Sequence, residues 1–153
     1  RRWPYIVQEK VDGVYCMQVV REDGEYRHFS RTGKELSSTQ SLPKVSDQPG
    51  VYIAELISLI ECSLEELSGV VNPNRTNGLV GRQAEIATNL HLSLHDFINL
   101  FVYERGYGTS SYAYRHRQLC NRVILGDSRV SVLPYEAAYN HDRILELKSS
   151  FTS

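Results

Sequence analysis

The sequence predicts an α+β domain rich in antiparallel sheet. Its first third is dense in β-branched and aromatic runs, separated by Asp12-Gly13 and Asp23-Gly24. Those pairs supply the tight turns that an antiparallel meander needs. Helical signals come later: Ser63 with Glu66 three residues on, and a 3.6-residue apolar spacing after Ser110. Strand-rich sequence followed by mixed elements gives α+β. At 153 residues, 41% apolar and 23% charged, the chain has the balance of one ordinary globular domain.

Taken in order, Tyr5 to Lys10 and Val14 to Arg21 read as two strands joined across Asp12-Gly13, and Glu25 to Ser30 as a third. Ser37 to Gly50, polar and holding Pro43 and Pro49, reads as a loop. Val51 to Leu59 is apolar and partly β-branched, the pattern of a buried strand. Ser63 and Glu66 form a capping box that opens a short helix ending at Gly69, and Asn72 to Gly78 has the turn residues of an exposed loop. Arg82 to Asn89 reads as a short helix and Leu92 to Tyr103 as a long strand. Ser110 to Leu125 is helical, with Gly126 as its C-cap. Val130 to Leu133 is a short strand before Pro134. His141 to Phe151 is a helix with Ile144, Leu145, Leu147 and Phe151 on roughly one side.

A net charge of -1 gives no overall basic field and no polybasic block for a membrane surface, although neutral totals are compatible with a local basic groove. No apolar run approaches the ~20 residues that span a bilayer, and Arg1-Arg2-Trp3-Pro4 lacks the apolar core of a signal peptide. Cys16, Cys62 and Cys120 are odd in number and widely spaced. They read as reduced cytosolic thiols, with Cys16 and Cys120 in packing roles. The chain opens on a strand and ends without a closing motif, so it reads as a piece of something longer.

Candidate chemistry centres on V-Q-E-K-V-D-G-V-Y, Val7 to Tyr15. On a strand, Ile6, Gln8 and Lys10 would share one face and Tyr5, Val7 and Glu9 the other. The Asp-Gly turn would then set the Asp12 carboxylate beside the Lys10 amine. A lysine with a reference pKa of ~10.4 is almost fully protonated at neutral pH. It becomes a nucleophile only when burial, cationic neighbours, a metal or a base releases its proton. Taken alone, K-x-D-G recurs by chance in roughly a few per cent of chains of this length. A simple hairpin therefore stands beside the nucleophile as a reading.

Further elements follow in order. Phe29-Ser30-Arg31-Thr32-Gly33 comes about twenty residues after Lys10, then Tyr52-Ile53-Ala54-Glu55-Leu56, then Leu94-His95-Asp96-Phe97-Ile98. This series resembles motif I, the S-R-x-G element, the strand-borne D-G-E-L and the aromatic motif IIIa of the covalent nucleotidyltransferases. That superfamily comprises ATP-dependent DNA ligases, RNA ligases and mRNA capping enzymes. The likeness is nearest to bacteriophage-type DNA ligases. It implies an antiparallel-sheet-rich, ATP-grasp-like ligase adenylation domain over residues 1–153, incomplete at its C-terminal side, with the OB-fold domain absent.

By position, the resemblance makes Lys10 the residue that attacks the α-phosphate of ATP and carries AMP. Gln8 would read the adenine amino group, and Asp12 and Gly13 complete the nucleotide-binding motif. Arg31 would contact the ribose or a 5′-phosphate at a nick. Glu55 would bind ribose or Mg2+. Phe97 would stack on adenine, with His95 as its rival. The implied partner is nicked double-stranded DNA and the implied protein a monomer in the cytoplasm, or in the host cytoplasm for a bacteriophage.

The sequence departs from the family pattern in several places. Tyr15 stands where ligases carry an arginine, Ile53-Ala54 replaces Asp-Gly, and Ile98 replaces an aspartate. Nothing matches the later E-G-x-V and K-x-K elements, so these residues alone are expected to adenylylate poorly. An RNA ligase or capping-type enzyme, and a non-catalytic nucleic-acid-binding domain, are the alternatives.

Overall fold

The computed structural model describes residues 3–99 and 111–152. The chain divides into two compact units, one formed by residues 1–11 with 133–153 and the other by residues 12–132.

The larger unit is built on a five-stranded sheet. Its strands are β2 (Val14–Val20), β3 (Tyr26–Phe29), β4 (Gly50–Ser58), β5 (Leu90–Ile98) and β6 (Val130–Val132), in the spatial order β3-β2-β4-β5-β6. The first three pairings are antiparallel and the β5–β6 pairing is parallel. The β2–β3 hairpin turns at Asp23-Gly24, where Gly24 takes φ +88 and the Arg21 carbonyl accepts from Gly24 N–H at 3.0 Å. Glycine adopts that conformation without steric cost.

One face of the sheet carries the core. Cys16, Val20, Tyr52, Ala54, Leu56, Leu90, Leu92, Leu94 and Phe97 pack with α1 (Leu64–Val71), α2 (Arg82–Ala87), α3 (Tyr112–Arg122) and the Leu42–Val45 loop. The capping box expected at Ser63 forms: its hydroxyl accepts from Glu66 N–H at 3.0 Å, and the Glu66 carboxylate accepts from Ser63 N–H at 3.1 Å. The helix runs past Gly69 to Val71, because Val70 and Val71 are core residues. Gly126 does not cap α3, which ends at Arg122 with Val123 as its C-cap. Residues 100–110, where the long strand was expected to continue to Tyr103, lie outside the described residues.

A polar side chain holds the loop between β3 and β4. Gln18 is fully buried, and its amide nitrogen donates to the Pro43 carbonyl (2.9 Å) and to His28 Nε2 (2.9 Å). Its amide oxygen accepts from Val45 N–H at 2.8 Å. A buried amide with every partner supplied specifies the loop position, and a missing partner there would be costly.

The smaller unit pairs β1 (Tyr5–Val7) with β7 (Glu136–Ala138), antiparallel in a two-stranded sheet, beside α4 (His141–Thr152). This corrects the expected hairpin between the first two strands. The β1 strand ends at Val7, so Gln8 and Lys10 lie in the irregular stretch after it and strand alternation does not orient them. Leu147 is buried on α4, whereas Leu145 is 60% exposed and does not share the apolar side assigned to it.

Candidate active site

Gly13 shows why K-V-D-G ends in glycine. A Cβ here would collide with the Leu56 carbonyl oxygen and stand 2.9 Å from Ile57 Cγ2. The glycine is required by the close approach of β4 to the start of β2, where Val14 pairs with Leu56. The expected hairpin turn is not its role. Asp12 is exposed just before it.

Beyond Gly13 the sheet face opposite the core carries a polar row. Tyr15 on β2 pairs with Glu55 on β4, which pairs with Ser93 on β5. Cross-strand partners project to the same side, so these three form a row. The next row is Met17, Ile53 and Asp96. Between Leu94 and Asp96 the β4–β5 register shifts, and His95 is the extra residue of a β-bulge. Leu94 and Phe97 thus face the core while Asp96 faces the Glu55 side.

Charges converge on that side. The Arg31 guanidinium lies over the Tyr15 ring, 4.1 Å from its centroid. The Tyr15 phenol is raised above its ordinary pKa, chiefly by burial; Arg31 opposes the shift, while Asp96 and Glu55 add to it. The His95 imidazole is lowered, chiefly by burial, with Asp96 acting against the shift and Arg31 with it. Asp96 Oδ1 accepts from Arg115 Nε at 2.9 Å and Oδ2 from Arg115 Nη2 at 3.3 Å, a forked pair; Oδ1 also accepts from Phe97 N–H at 2.7 Å. The Tyr112 hydroxyl donates to the His95 carbonyl and ties α3 to the bulge. On the other face, burial pushes the Cys16 thiol up to about 12, with Glu55 adding to it, so Cys16 is a packing residue.

Arg31, Glu55 and His95 thus come together on one face, joined by Tyr15 and Asp96. Phe97 does not join them. It is 1% exposed, tilted against Tyr52 with centroids 4.9 Å apart, and covered by the Arg122 guanidinium at 4.7 Å. Alternation would put His95 and Phe97 on one face, but the bulge inverts the phase between them, so the adenine-stacking role expected of Phe97 is corrected to a core role.

Lys10 and Gln8 belong to the smaller unit. Lys10 is exposed, and the Gln8 amide nitrogen donates to the Leu133 carbonyl at 3.2 Å. Two open clefts of about 470 and 480 Å3 are lined, the first by Tyr26, Arg27, His28, Glu35 and the loop from Leu36 to Gln40, the second by Glu61, Cys62, Ser63, Glu66 and Arg82, and neither contains the Arg31–Glu55 group.

Asp96 and Arg115 were not singled out from sequence. With His95 read in the aromatic position of motif IIIa, Asp96 falls directly after it, where the family pattern has aspartate. Among the described residues no group of three His, Cys, Asp or Glu side chains could hold a metal ion. Glu55 offers one carboxylate, and Mg2+ is commonly held by one or two carboxylates together with substrate phosphates and water. The donor set fits an ion that arrives with a phosphate ligand. Among the described residues, no helix is long and apolar enough to cross a membrane.

No family model matches the chain, and no curated protein sequence matches it. Solved structures do. The chain is similar to one named "Pmar-Lig_PreS3", with a TM-score of 0.68 at 17% identity over 98% of this chain and 36% of that one. For a chain named "Pmar-Lig_Pre." the TM-score is 0.66, with the same identity and coverage. For the ATP-dependent DNA ligase from bacteriophage T7, in complex with ATP, it is 0.62 at 14% identity over 94% of this chain and 52% of the ligase. The chain therefore spans about a third to a half of the length of these proteins. The likeness is one of fold: an α+β, antiparallel-sheet-rich domain of the kind found in DNA ligases.

Proposed function

We propose that the chain is part of an ATP-dependent DNA ligase that seals nicks through a lysyl-AMP intermediate. Lys10 takes the AMP from ATP as a phosphoramidate and expels pyrophosphate. The AMP then passes to a 5′-phosphate at a nick, and the 3′-hydroxyl displaces it. The observation that carries the reading is the polar face of Tyr15, Arg31, Glu55, His95 and Asp96, set in a fold shared with a ligase solved with ATP.

Arg31 offers an N–H fork to phosphate or ribose, and Glu55 a carboxylate for ribose or for Mg2+ arriving with phosphate. His95, in place of Phe97, presents a ring held neutral by burial that suits stacking on a base. Gln8 is assigned to the adenine edge, and Asp12 and Gly13 to binding the nucleotide. Electrostatic stabilisation of the transferring phosphoryl group carries most of the catalysis in such chemistry. Nicked duplex DNA is the proposed substrate, sealed by the protein as a monomer in the cytoplasm.

The test uses the whole protein in which this chain occurs, incubated with α-labelled ATP and Mg2+. An acid-labile protein–AMP adduct is expected, and Lys10→Arg should abolish it. Wild-type protein without adduct, or an adduct indifferent to Lys10, contradicts the reading. Sealing of nicked RNA in preference to DNA would move the substrate to the RNA-ligase alternative.

A further inference from the structure

Tyr15 occupies the place, two residues after Gly13, where the family pattern has arginine. A cation is nonetheless present there, supplied by another part of the chain. Arg31 lies 4.1 Å from the Tyr15 ring centroid, inside the distance at which a ring face attracts a guanidinium. The last ladder pair of β2 and β3 is Met17–Phe29, and Tyr15 and Arg31 each lie two residues beyond it. Tyr15 is fixed in β2 opposite Glu55. Arg31 sits on a turn in which Gly33 N–H donates to the Ser30 carbonyl at 2.9 Å, Ser30 N–H donates to the Lys34 carbonyl at 2.7 Å, and Gly33 takes φ +86.

Both backbones are thus held, but an exposed arginine side chain keeps much rotamer freedom. The ring face removes part of it. Resting on the ligase-type reading of this face, we propose that Tyr15 is a positioning residue. Its ring holds the Arg31 guanidinium over β2, beside Glu55, ready to receive a phosphate group of the substrate. The pair takes over the place of the family arginine, and the ring matters while the hydroxyl does not.

Two steps separate the sources of that phosphate. One is the rate of adduct formation from ATP. The other is single-turnover sealing of a 5′-phosphorylated nick by pre-adenylylated protein. Tyr15→Leu should slow the step that uses Arg31 by about three- to fivefold, the scale of an exposed cation–π contact. Tyr15→Phe should stay within about twofold of wild type on the same grounds, because the ring face is kept. In an Arg31→Ala background Tyr15→Leu should cost nothing further, since contacting residues are not additive.

The positioning role is overturned if Tyr15→Leu matches wild type in both steps, or if Tyr15→Phe is as slow as Tyr15→Leu. It is overturned equally if the loss persists undiminished in the Arg31→Ala background, the result a purely structural effect would give. Wild-type protein that forms no adduct fails the ligase reading itself, and the positioning role falls with it. An active wild type with an indifferent Tyr15→Leu removes the positioning role alone.

Discussion

His28 gives a quantitative handle on the fold of the larger unit. It lies on β3, 4% exposed, and burial pushes its imidazole down to about 4 from the usual ~6.5. The hydrogen-bond geometry acts in the same direction as burial. His28 Nε2 faces the Gln18 amide nitrogen at 2.9 Å, so it accepts in the neutral ring. A protonated ring would present N–H there and require Gln18 to turn its oxygen inward. That rotation breaks the bonds to Pro43 and Val45 that anchor the loop. The unfolded chain therefore binds this proton more readily than the native one, and stability rises with pH between about 4 and 6.5. The contribution is fully present above about 6.5 and lost as pH falls towards 4. The fall from ~6.5 to about 4 amounts to about 3 kcal/mol. Urea denaturation at pH 7.5, 6, 5 and 4.5 measures it as a falling midpoint, and His28→Gln should flatten that slope. A variant whose pH profile runs parallel to wild type would refute the reasoning.

Two further perturbations test the packing behind the site. Gly13→Ala places a methyl group against the Leu56 carbonyl and should lower stability by about 1–3 kcal/mol, read as a fall in Tm; a neutral result would mean that β4 can move aside. Asp96→Asn keeps an oxygen for Phe97 N–H but leaves the half-buried Arg115 without its carboxylate, so a loss on the order of 1–3 kcal/mol is expected in urea denaturation. An unchanged midpoint would make that pair energetically idle.

Most of the larger unit was legible because its signals are local. Asp23-Gly24 gave the β2–β3 hairpin, the apolar run after Gly50 gave the central strand, and Ser63 with Glu66 gave a capped helix. The misread features all depend on distant contacts. Asp12-Gly13 has hairpin chemistry, yet β1 finds its partner at Glu136–Ala138 and Gly13 answers to the backbone of Leu56. The likeness to motif IIIa carried Phe97 to the site, with His95 on the same face by alternation, and one bulge residue, which no local pattern marks, separates the two and sets Phe97 in the core. Gln18 and His28 looked like ordinary strand positions, because burial of a polar pair depends on a loop folding over it. Tyr15 read as a defect in the motif, and only its contact with Arg31 gives it a place.

The most direct measurement of the central claim is mass spectrometry of the whole protein after exposure to ATP and Mg2+, followed by peptide mapping. The account predicts a mass increase of one AMP residue, carried on the peptide containing Lys10 and absent from Lys10→Arg. An unmodified protein, or AMP mapped to a different lysine, would contradict it.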